Sequence, residues 1–325
     1  MKEIVLSYDY ELFFGDISGT VQNTLIKPTN LLLEQLDSLG FKANFFVDYL
    51  MLKYLRKNSD GQSKNDLHQL ENQIKDIVKR GHRVELHIHP HWINAQYIGN
   101  GLWDFSDFSH YSLSTFSKEE IIQMFDEGLE ILHKITRVVD PGYQIVAFRA
   151  GGWAVQPFSQ LKEAFVKNNI KVDSSVAYGV CSDNSYSSFD FRNIPSRAPY
   201  LFTDDVLNDD PQGLFLEVPI STYKRTILHR LIDVIHRMMA PSTFKVITDG
   251  THKRESDSHT GINKKDSISM FSLSRHSWLS IIPTVLLSGN KQIVFIDHPK
   301  DFTYSGLVIM RKLSHFCKTK LYCRF

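Results

Sequence analysis

The chain has 325 residues, enough for one large α/β domain or two small ones, and its 42% hydrophobic and 22% charged content is ordinary for a globular protein. Its 37 Lys and Arg residues nearly balance its 36 Asp and Glu residues, so the formal net charge is only +1, and the sequence has no dense basic stripe. This balance argues against nucleic acid or an anionic membrane surface as the main partner.

The N-terminus and the cysteines bear on the compartment. "MKEIVLSYDYE" has an apolar run too short for a secretory leader, and no later run is long enough to span a bilayer. Cys181, Cys317 and Cys323 are odd in number and lack the spacing of a zinc site, which suits a reducing compartment. We therefore expect a cytoplasmic protein without a membrane span.

Strand–helix alternation begins at the N-terminus. "EIVLSY" (3–8) predicts a buried strand, and "PTNLLLEQLDSLG" (28–40) predicts a helix that starts at a proline and stops at a glycine. The next predicted elements are a strand at 43–47, a helix that ends at Gly81 and a strand at 83–88.

The same alternation continues towards the C-terminus. Ser117 and Glu120 have the spacing of a capping box at the start of a helix. Further strands are predicted at 143–148, 170–176, 214–220 and 292–297, and further helices near 156–168, 223–240, 275–288 and 302–316. Such alternation predicts βαβ units around a parallel sheet that is closed or nearly closed.

Two segments fall outside the alternation. Residues 93–116 are rich in aromatic residues, Ser, Gly and Asp, which indicates an ordered loop over one end of the sheet. Its aromatic side chains form either a small satellite core or a lid over the site. Residues 250–268 are polar and are expected to be mobile. Because the sequence has no internal repeat and no linker, 1–325 is predicted to be a single domain.

Polar side chains follow five of the predicted strands, at the edge where parallel α/β folds carry their active sites. They are Asp9 and Glu11; His87, His89 and His91; Arg149 and Trp153; Asp173; and Asp297 and His298. Any one of them taken singly is most simply a capping, turn, ion-pair or core residue. In the same way His82, next to Gly81, is expected to interact with the last carbonyls of the preceding helix. The coincidence at five strand ends is what indicates an active site.

Two imidazoles and a carboxylate form the ligand set of a catalytic divalent-metal site, most naturally a zinc site. Asp9 and Glu11 point the same way if the strand stays extended through Tyr10, because side chains alternate along a strand. One carboxylate can then hold the metal while the other accepts a proton from the attacking water, as hydrolysis requires.

Five segments, in this order, resemble the motifs of the polysaccharide deacetylase (NodB-homology) superfamily, carbohydrate esterase family 4 (CE4). They are "SYDYE", "GHRVELHIHPHW", "FRAGGW", "DSSV" and "VFIDHP", and the resemblance extends from about residue 3 to about residue 300. The combination looks closest to the branch found with bacterial O-antigen and capsule clusters. The resemblance implies an α/β fold, a distorted (β/α)7-type barrel of mostly parallel strands.

The resemblance also implies roles for the acids, the arginine and the last histidine. Motif 1 places the base before the metal-binding acid, so Asp9 would be the general base and Glu11 a metal ligand. Arg149 would pair with Asp9 and keep it ionised. Asp173 would orient and charge His298, the general acid that protonates the leaving amine.

Motif 2 supplies the two histidine ligands. Its family spacing makes His87 and His91 the ligands, with His89 facing the substrate or supporting the ligands. On a strictly extended strand all three would share a face, so a His87/His89 pair remains possible. The bend at Pro90 favours His91.

The implied reaction is hydrolysis of the amide of an N-acyl amino sugar, by a deacetylase or deformylase of surface-polysaccharide biosynthesis. The implied cofactor is a divalent metal, most naturally Zn2+, with Co2+ or Ni2+ as possible substitutes. Trp92 and Trp153 would line the cleft against the sugar rings. Two alternatives stay open: a C–N hydrolase acting on a non-sugar amide, and a non-catalytic glycan-binding or assembly protein on the same scaffold.

Overall fold

The computed structural model describes residues 1–184, 186–252 and 268–324. The strands are β1 (Lys2–Tyr10), β2 (Asn44–Asp48), β3 (Arg83–Ile88), β4 (Gln96–Gly99), β5 (Leu102–Asp104), β6 (Ala147–Ala150), β7 (Val172–Asp173), β8 (Cys181–Asp183), β9 (Ser188–Asp190), β10 (Tyr200–Phe202), β11 (Phe215–Glu217), β12 (Thr222–Lys224), β13 (Ile268–Met270), β14 (Gln292–Asp297) and β15 (Cys317–Thr319). The helices are α1 (Lys27–Ser38), α2 (Tyr49–Lys57), α3 (Gly61–Lys79), α4 (Lys118–Thr136), α5 (Lys162–Lys167), α6 (Ile227–Met239), α7 (Trp278–Leu287) and α8 (Tyr304–Leu313).

One mostly parallel sheet organises the chain. Its strand order is β10-β11-β7-β6-β3-β2-β1-β14, with β15 also paired to β1. Every pair in this sheet is parallel except β10–β11. The predicted α/β class is confirmed, and the sheet curls into a half-barrel of the predicted (β/α)7 type.

The curl brings the segment that follows β11 back to β14. The amide of Ser221 donates to the carbonyl of Val294 at 3.1 Å, and the amide of Val294 donates to the Ser221 hydroxyl at 2.9 Å. These bonds satisfy backbone groups that the edge of an open sheet would leave unpaired. These bonds link the two sides of the half-barrel, which the sequence predicted to be closed or nearly closed.

β1 lies between β2 and β14 and is buried on both faces. Residues 4–10 are buried throughout, as expected of a strand that helices cover on both sides. β14 pairs along one edge of β1, whereas β2 and β15 share the other edge. The C-terminal end of β1 therefore lies inside the sheet, next to the ends of β2 and β14.

Helix α4 begins where its sequence provides a cap. In α4, Ser117 Oγ accepts the Glu120 amide at 3.3 Å, and Glu120 Oε2 accepts the Ser117 amide at 2.8 Å. This is the predicted capping box. The main apolar core includes residues from Ile4 to Cys317. The single domain over 1–325 stays a prediction. In the part of the chain that the structure describes, no helix is long and apolar enough to cross a bilayer.

The structure adds local detail at several places. His82 contacts the end of α3 through its backbone amide, which donates to the Ile77 carbonyl at 3.1 Å. Its imidazole Nδ1 instead accepts the Ala43 amide at 3.2 Å. The loop 93–116 contains the β4–β5 hairpin. The segment predicted to be mobile, 250–268, lies outside the described residues over 253–267, and Ile268 begins β13.

Candidate active site and metal centre

The two acids of β1 lie at its C-terminal end and face one side. Asp9 and Glu11 are each only 3% exposed. The intervening Tyr10 points the other way, where its hydroxyl donates to Gln73 at 2.6 Å. This alternation follows from the extended backbone, and it delivers both carboxylates to one position at the edge of the sheet.

Three potential metal ligands converge here: Glu11, His87 and His89. Their ligand atoms all lie within 4.8 Å of one another, and all three side chains are buried. Glu11 Oε2 is 2.9 Å from His87 Nε2 and 2.7 Å from His89 Nε2. Two imidazoles and one carboxylate are the ligand set of a catalytic zinc site.

The hydrogen bonding of His87 tests whether this group suits a cation. Its Nδ1 lies 2.7 Å from the carbonyl oxygen of Arg149, which can only accept, so Nδ1 carries a proton. If the ring is neutral, Nε2 carries no proton and its lone pair faces the Glu11 carboxylate. Two acceptors this close need a shared proton or a metal ion between them. A backbone carbonyl on the second nitrogen is the usual support of a histidine ligand. The residues present therefore fit a divalent metal.

The electrostatics of this group also favour an ionised acid. Burial opposes ionisation of Glu11, but His89, the Lys300 ammonium and His87 together hold the pKa of Glu11 well below its usual value. Burial lowers the pKa of His89. For His87 the carboxylates of Asp9 and Glu11 outweigh burial and raise the pKa.

His91 is not part of this group, although the sequence favoured it over His89 as a ligand. Pro90 begins a 3-10 turn over Pro90–Asn94, which carries His91 away from the line of β3. Its ring lies 4.3 Å from Phe108 and 5.5 Å from Phe105, centroid to centroid. Burial there lowers the pKa of His91 to about 4. The geometry favours the His87/His89 pair that the sequence had left open.

Gly151 explains how His89 can occupy its place. A Cβ on this residue would lie 2.7 Å from His89 Nδ1 and 2.6 Å from the carbonyl oxygen of Ile88. Contacts that short are not tolerated, so the Gly-Gly of "FRAGGW" allows β6 to approach the end of β3. The glycine is thus needed for the position of the histidine.

Asp9 and Arg149 form the predicted ion pair. Arg149 Nη1 donates to Asp9 Oδ1 at 2.6 Å, and its Nε donates to the Ser174 carbonyl at 2.7 Å. Burial alone would raise the pKa of Asp9, but Arg149, His87 and His298 more than offset it and lower that pKa. Asp9 is therefore ionised and oriented, as a general base must be.

His298 lies on the opposite side of the two carboxylates. Its Nε2 is 3.6 Å from both Asp9 Oδ2 and Glu11 Oε1, and its Nδ1 is 3.5 Å from Asp301 Oδ2. Burial and then Lys300 lower the pKa of His298 to about 4, so the ring is neutral near pH 7. His298 can therefore act as a general acid only if it gains a proton during the reaction.

Asp173 does not contact His298, contrary to the role that the resemblance implied. Its Oδ1 accepts the Ser175 hydroxyl at 2.8 Å, and it is hydrogen-bonded to Glu217. Burial raises the pKa of Asp173, and burial together with the neighbouring Asp173 raises the pKa of Glu217 well above its usual value. Asp301, three residues after His298, is the acid that lies beside its ring.

The two predicted cleft tryptophans differ in their surroundings. Trp92 is fully buried and packs against Trp103 and Phe105, at centroid separations of 5.0 and 4.8 Å, so it belongs to the aromatic core of the 93–116 loop. Trp153 is half-buried, with its ring 6.4 Å from Phe189. Only Trp153 keeps surface available to a ligand.

Lys300 and Asp48 are site residues that the sequence interpretation did not assign. Lys300 is 4% exposed, and its ammonium donates to Glu11 Oε1 at 2.7 Å. Its signal was its position two residues after His298 in "DHPKDF". Asp48 accepts the backbone amide of His89 at 3.3 Å, and burial raises its pKa to about 7. Asp48 is the last residue of β2, so a search for polar residues at strand ends could have found it.

Comparison with known proteins gives similarity of fold. No protein-family model matches the chain, and no curated protein matches it. A 4-alpha-glucanotransferase from Thermococcus litoralis has a similar structure, with a TM-score of 0.51 and 12% identity over 100% of this chain and 40% of that one.

Polysaccharide deacetylases and CE4 family members also appear among the similar structures. A proposed polysaccharide deacetylase from Mycobacterium smegmatis has a TM-score of 0.49 and 13% identity, covering 99% of this chain and 87% of that one. A CE4 family pseudoenzyme from Bacillus anthracis has a TM-score of 0.43 and 10% identity, covering 99% of this chain and 64% of that one. At such identities the likeness concerns the fold, not the activity.

Proposed function

We propose that the chain is a metal-dependent N-deacylase that hydrolyses the amide of an N-acyl amino sugar, in the synthesis of a surface polysaccharide such as O-antigen. The observation that supports this most is the convergence of Glu11, His87 and His89 beside the Asp9–Arg149 ion pair. A ligand set next to a separate, ionised base is what metal-assisted hydrolysis requires.

The metal would be held by Glu11 and the two Nε2 atoms, with zinc the natural choice and cobalt or nickel as substitutes. When bound, it supplies Lewis acidity towards the amide carbonyl and the attacking water.

The chain's own residues carry the proton. Asp9 accepts it from the attacking water, and Arg149 holds the carboxylate in place through Nη1. His298 Nε2, 3.6 Å from Asp9 Oδ2, then delivers it to the departing nitrogen. His298 is neutral before it takes the proton from Asp9. The transfer therefore protonates His298, the general acid, and returns Asp9, the general base, to its ionised form. Asp301 at 3.5 Å orients the ring.

Metal analysis followed by a product screen tests the proposal. Protein purified without chelator is expected to contain about one divalent ion per chain. Nucleotide-linked N-acetyl and N-formyl amino sugars, and a matched set of non-sugar amides, are then assayed for the free amine. Turnover of the sugars alone supports the proposal, whereas turnover of only the non-sugar amides identifies a different C–N hydrolase.

The Asp9→Asn variant serves as the control. It keeps the shape of the side chain but cannot accept the proton, so it should retain metal and lose turnover. A wild-type protein that binds no metal and turns over neither set, yet binds glycans, would be a non-catalytic glycan-binding protein. That result would overturn the proposed activity.

A further inference from the structure

Helix α6 is oriented with its polar face towards the protein. Asp233 on this helix is buried, where it accepts the Ser277 amide at 2.9 Å and the Ser280 hydroxyl at 2.6 Å. His236 lies 2.7 Å from the Ser277 hydroxyl. These hydrogen bonds, rather than apolar contacts, fix the helix to the start of α7.

The opposite face of α6 is apolar and faces solvent. Its exposed large apolar residues are Ile227, Leu228, Leu231, Val234, Ile235, Met238 and Met239, with exposed fractions from 46% to 84%. At about 100° per residue they span an arc of roughly 140°, the width of a face that a helix normally buries. This apolar face therefore lacks a covering element among the described residues.

The end of α7 carries a further exposed apolar side chain. His229 on α6 lies 3.0 Å from the hydroxyl of Thr284, near the C-terminal end of α7. Leu287, one turn after Thr284, is 85% exposed. Exposed apolar surface of the extent seen on α6 is a mark of interaction sites.

Charge distinguishes the kind of partner. Residues 224–246 contain five basic side chains, Lys224, Arg225, Arg230, Arg237 and Lys245, and a single acid, Asp233. That acid is buried and bonded to Arg225 at 2.7 Å. Lys224, Arg230, Arg237 and Lys245 are exposed. Within residues 224–246, the exposed charged side chains are thus all basic.

The charge balance of the whole chain argued against an anionic membrane surface as the main partner, but the charge around α6 is locally one-sided. We propose that α6 lies in the plane of an anionic lipid bilayer and holds the protein on that surface. An apolar face flanked by Lys and Arg is the composition of an interfacial helix, whose apolar side chains enter the acyl region while the cations meet anionic headgroups. A second copy of this chain fits less well, because pairing two such faces would bring like charges together with no acid to balance them. This inference does not depend on the proposed reaction.

Vesicle sedimentation with the full chain tests the anchor. The protein is mixed with vesicles of phosphatidylcholine alone, or with about one third phosphatidylglycerol, at low and high salt. Wild type is expected to sediment with the anionic vesicles, and less so at high salt. Leu231→Glu/Met238→Glu places two charges at the centre of the apolar face and should weaken binding at least about tenfold.

Matched controls separate this surface from general stickiness. Ile98→Glu/Val138→Glu adds the same charges at residues that are 62% and 70% exposed elsewhere, and should bind vesicles as wild type does. Lys224→Glu/Arg230→Glu leaves the apolar face intact and should remove the preference for phosphatidylglycerol. This variant tests the proposal even if Leu231→Glu/Met238→Glu does not fold.

Two results would overturn the inference. The first is a wild-type protein that stays in the supernatant with both kinds of vesicle. The second is a wild-type dimer, detected by light scattering without lipid, that becomes monomeric in Leu231→Glu/Met238→Glu. The latter result would assign the apolar face to contact between two copies.

Discussion

At the scale of single residues, the choice between two histidines two positions apart decides the ligand set. His89→Ala removes an Nε2 that lies 2.7 Å from Glu11, whereas His91→Ala removes a ring packed among Phe105 and Phe108. We expect His89→Ala to weaken zinc binding by more than about 100-fold, and His91→Ala to retain about one ion per chain. Elemental analysis after dialysis, with zinc, cobalt or nickel added back, measures both.

The His91→Ala variant is also the control for folding, because it removes the same amount of imidazole from the neighbouring turn. The opposite outcome, metal loss in His91→Ala and retention in His89→Ala, would mean that the family spacing identifies the ligands after all. In that case the turn at Pro90–Asn94 must rearrange when metal binds.

His298→Ala tests the proton donor. Among the described residues, His298 is the one imidazole near both Asp9 and Glu11 that is outside the ligand group, so metal content should be unchanged in the variant. Turnover should fall by ~10²–10⁴-fold, the usual effect of removing a general acid. His315→Ala, at an exposed position on the surface, is the matched control. Near-full activity of His298→Ala on the true substrate would leave a water molecule as the donor.

Sequence reasoning located the site but did not resolve its internal contacts. Asp9, Glu11, His87 and Arg149 could be placed together because parallel strands end at one edge and side chains alternate along them. Which of two nearby groups makes a contact depends on turns that follow the strands. The turn at Pro90 places His91 away from Glu11 and His87. A turn after β14 places Asp301 beside His298, where the sequence had led us to expect Asp173.

At the scale of elements, the junction of β2, α3 and β3 depends on a neutral histidine. His82 is buried, its Nδ1 accepts the Ala43 amide, and burial and Lys42 lower its pKa to about 4. Its usual pKa is 6.5, so the unfolded chain gains the proton first as the pH falls. The contribution of His82 to stability is therefore complete above that value and is lost progressively towards pH 4.

Urea unfolding of wild type and His82→Asn measures this effect. The asparagine oxygen can accept the same amide but does not titrate. From about pH 7 to about pH 5, wild type should lose about 2 kcal/mol more of its unfolding free energy than the variant does. Equal losses in the two proteins would show that His82 is already protonated, or is solvated, in the folded state.

The sequence predicted those elements best whose position depends on a short stretch of residues. The strands β1, β2, β3 and β14 and the capping box of α4 follow from apolar runs and local hydrogen bonding. The helix near 223–240 was also expected, but not its orientation, because an apolar stripe normally packs inward. In α6 the polar face packs inward instead, because the buried acid Asp233 bonds Ser277 and Ser280 at the start of α7. The pattern of α6 alone cannot predict these partners, which lie far along the chain.

At the scale of the whole molecule, the site is completed by the last residues described. β15 pairs with the start of β1, and the chain then brings Tyr322 to Ser174 and Arg149 of the candidate site. The Tyr322 hydroxyl lies 2.7 Å from Ser174 Oγ and 3.4 Å from Arg149 Nη2. Local sequence patterns cannot predict such contacts, because 173 residues separate Tyr322 from Arg149.

Tyr322 therefore links the closing of the barrel to the orientation of the base. Its ring packs 5.3 Å from Phe46, and its amide donates to Asn44 at 3.0 Å, so Tyr322→Ala leaves a buried cavity under β2. We expect the variant to lose about 3–5 kcal/mol of unfolding free energy, and Tyr322→Phe, which removes only the hydroxyl, about 1–2 kcal/mol. Tyr304→Ala, at a 47% exposed position on α8, is the control for loss of a tyrosine.

Kinetics distinguish support of the site from general packing. The Arg149 guanidinium keeps its bonds to Asp9 and to the Ser174 carbonyl in Tyr322→Phe, so metal content and KM should stay near wild type. Loss of one contact to the guanidinium should appear instead as a lower kcat, because Asp9 is held less firmly for proton transfer. A Tyr322→Phe variant with unchanged kcat but reduced stability would limit the C-terminal segment to closing the barrel.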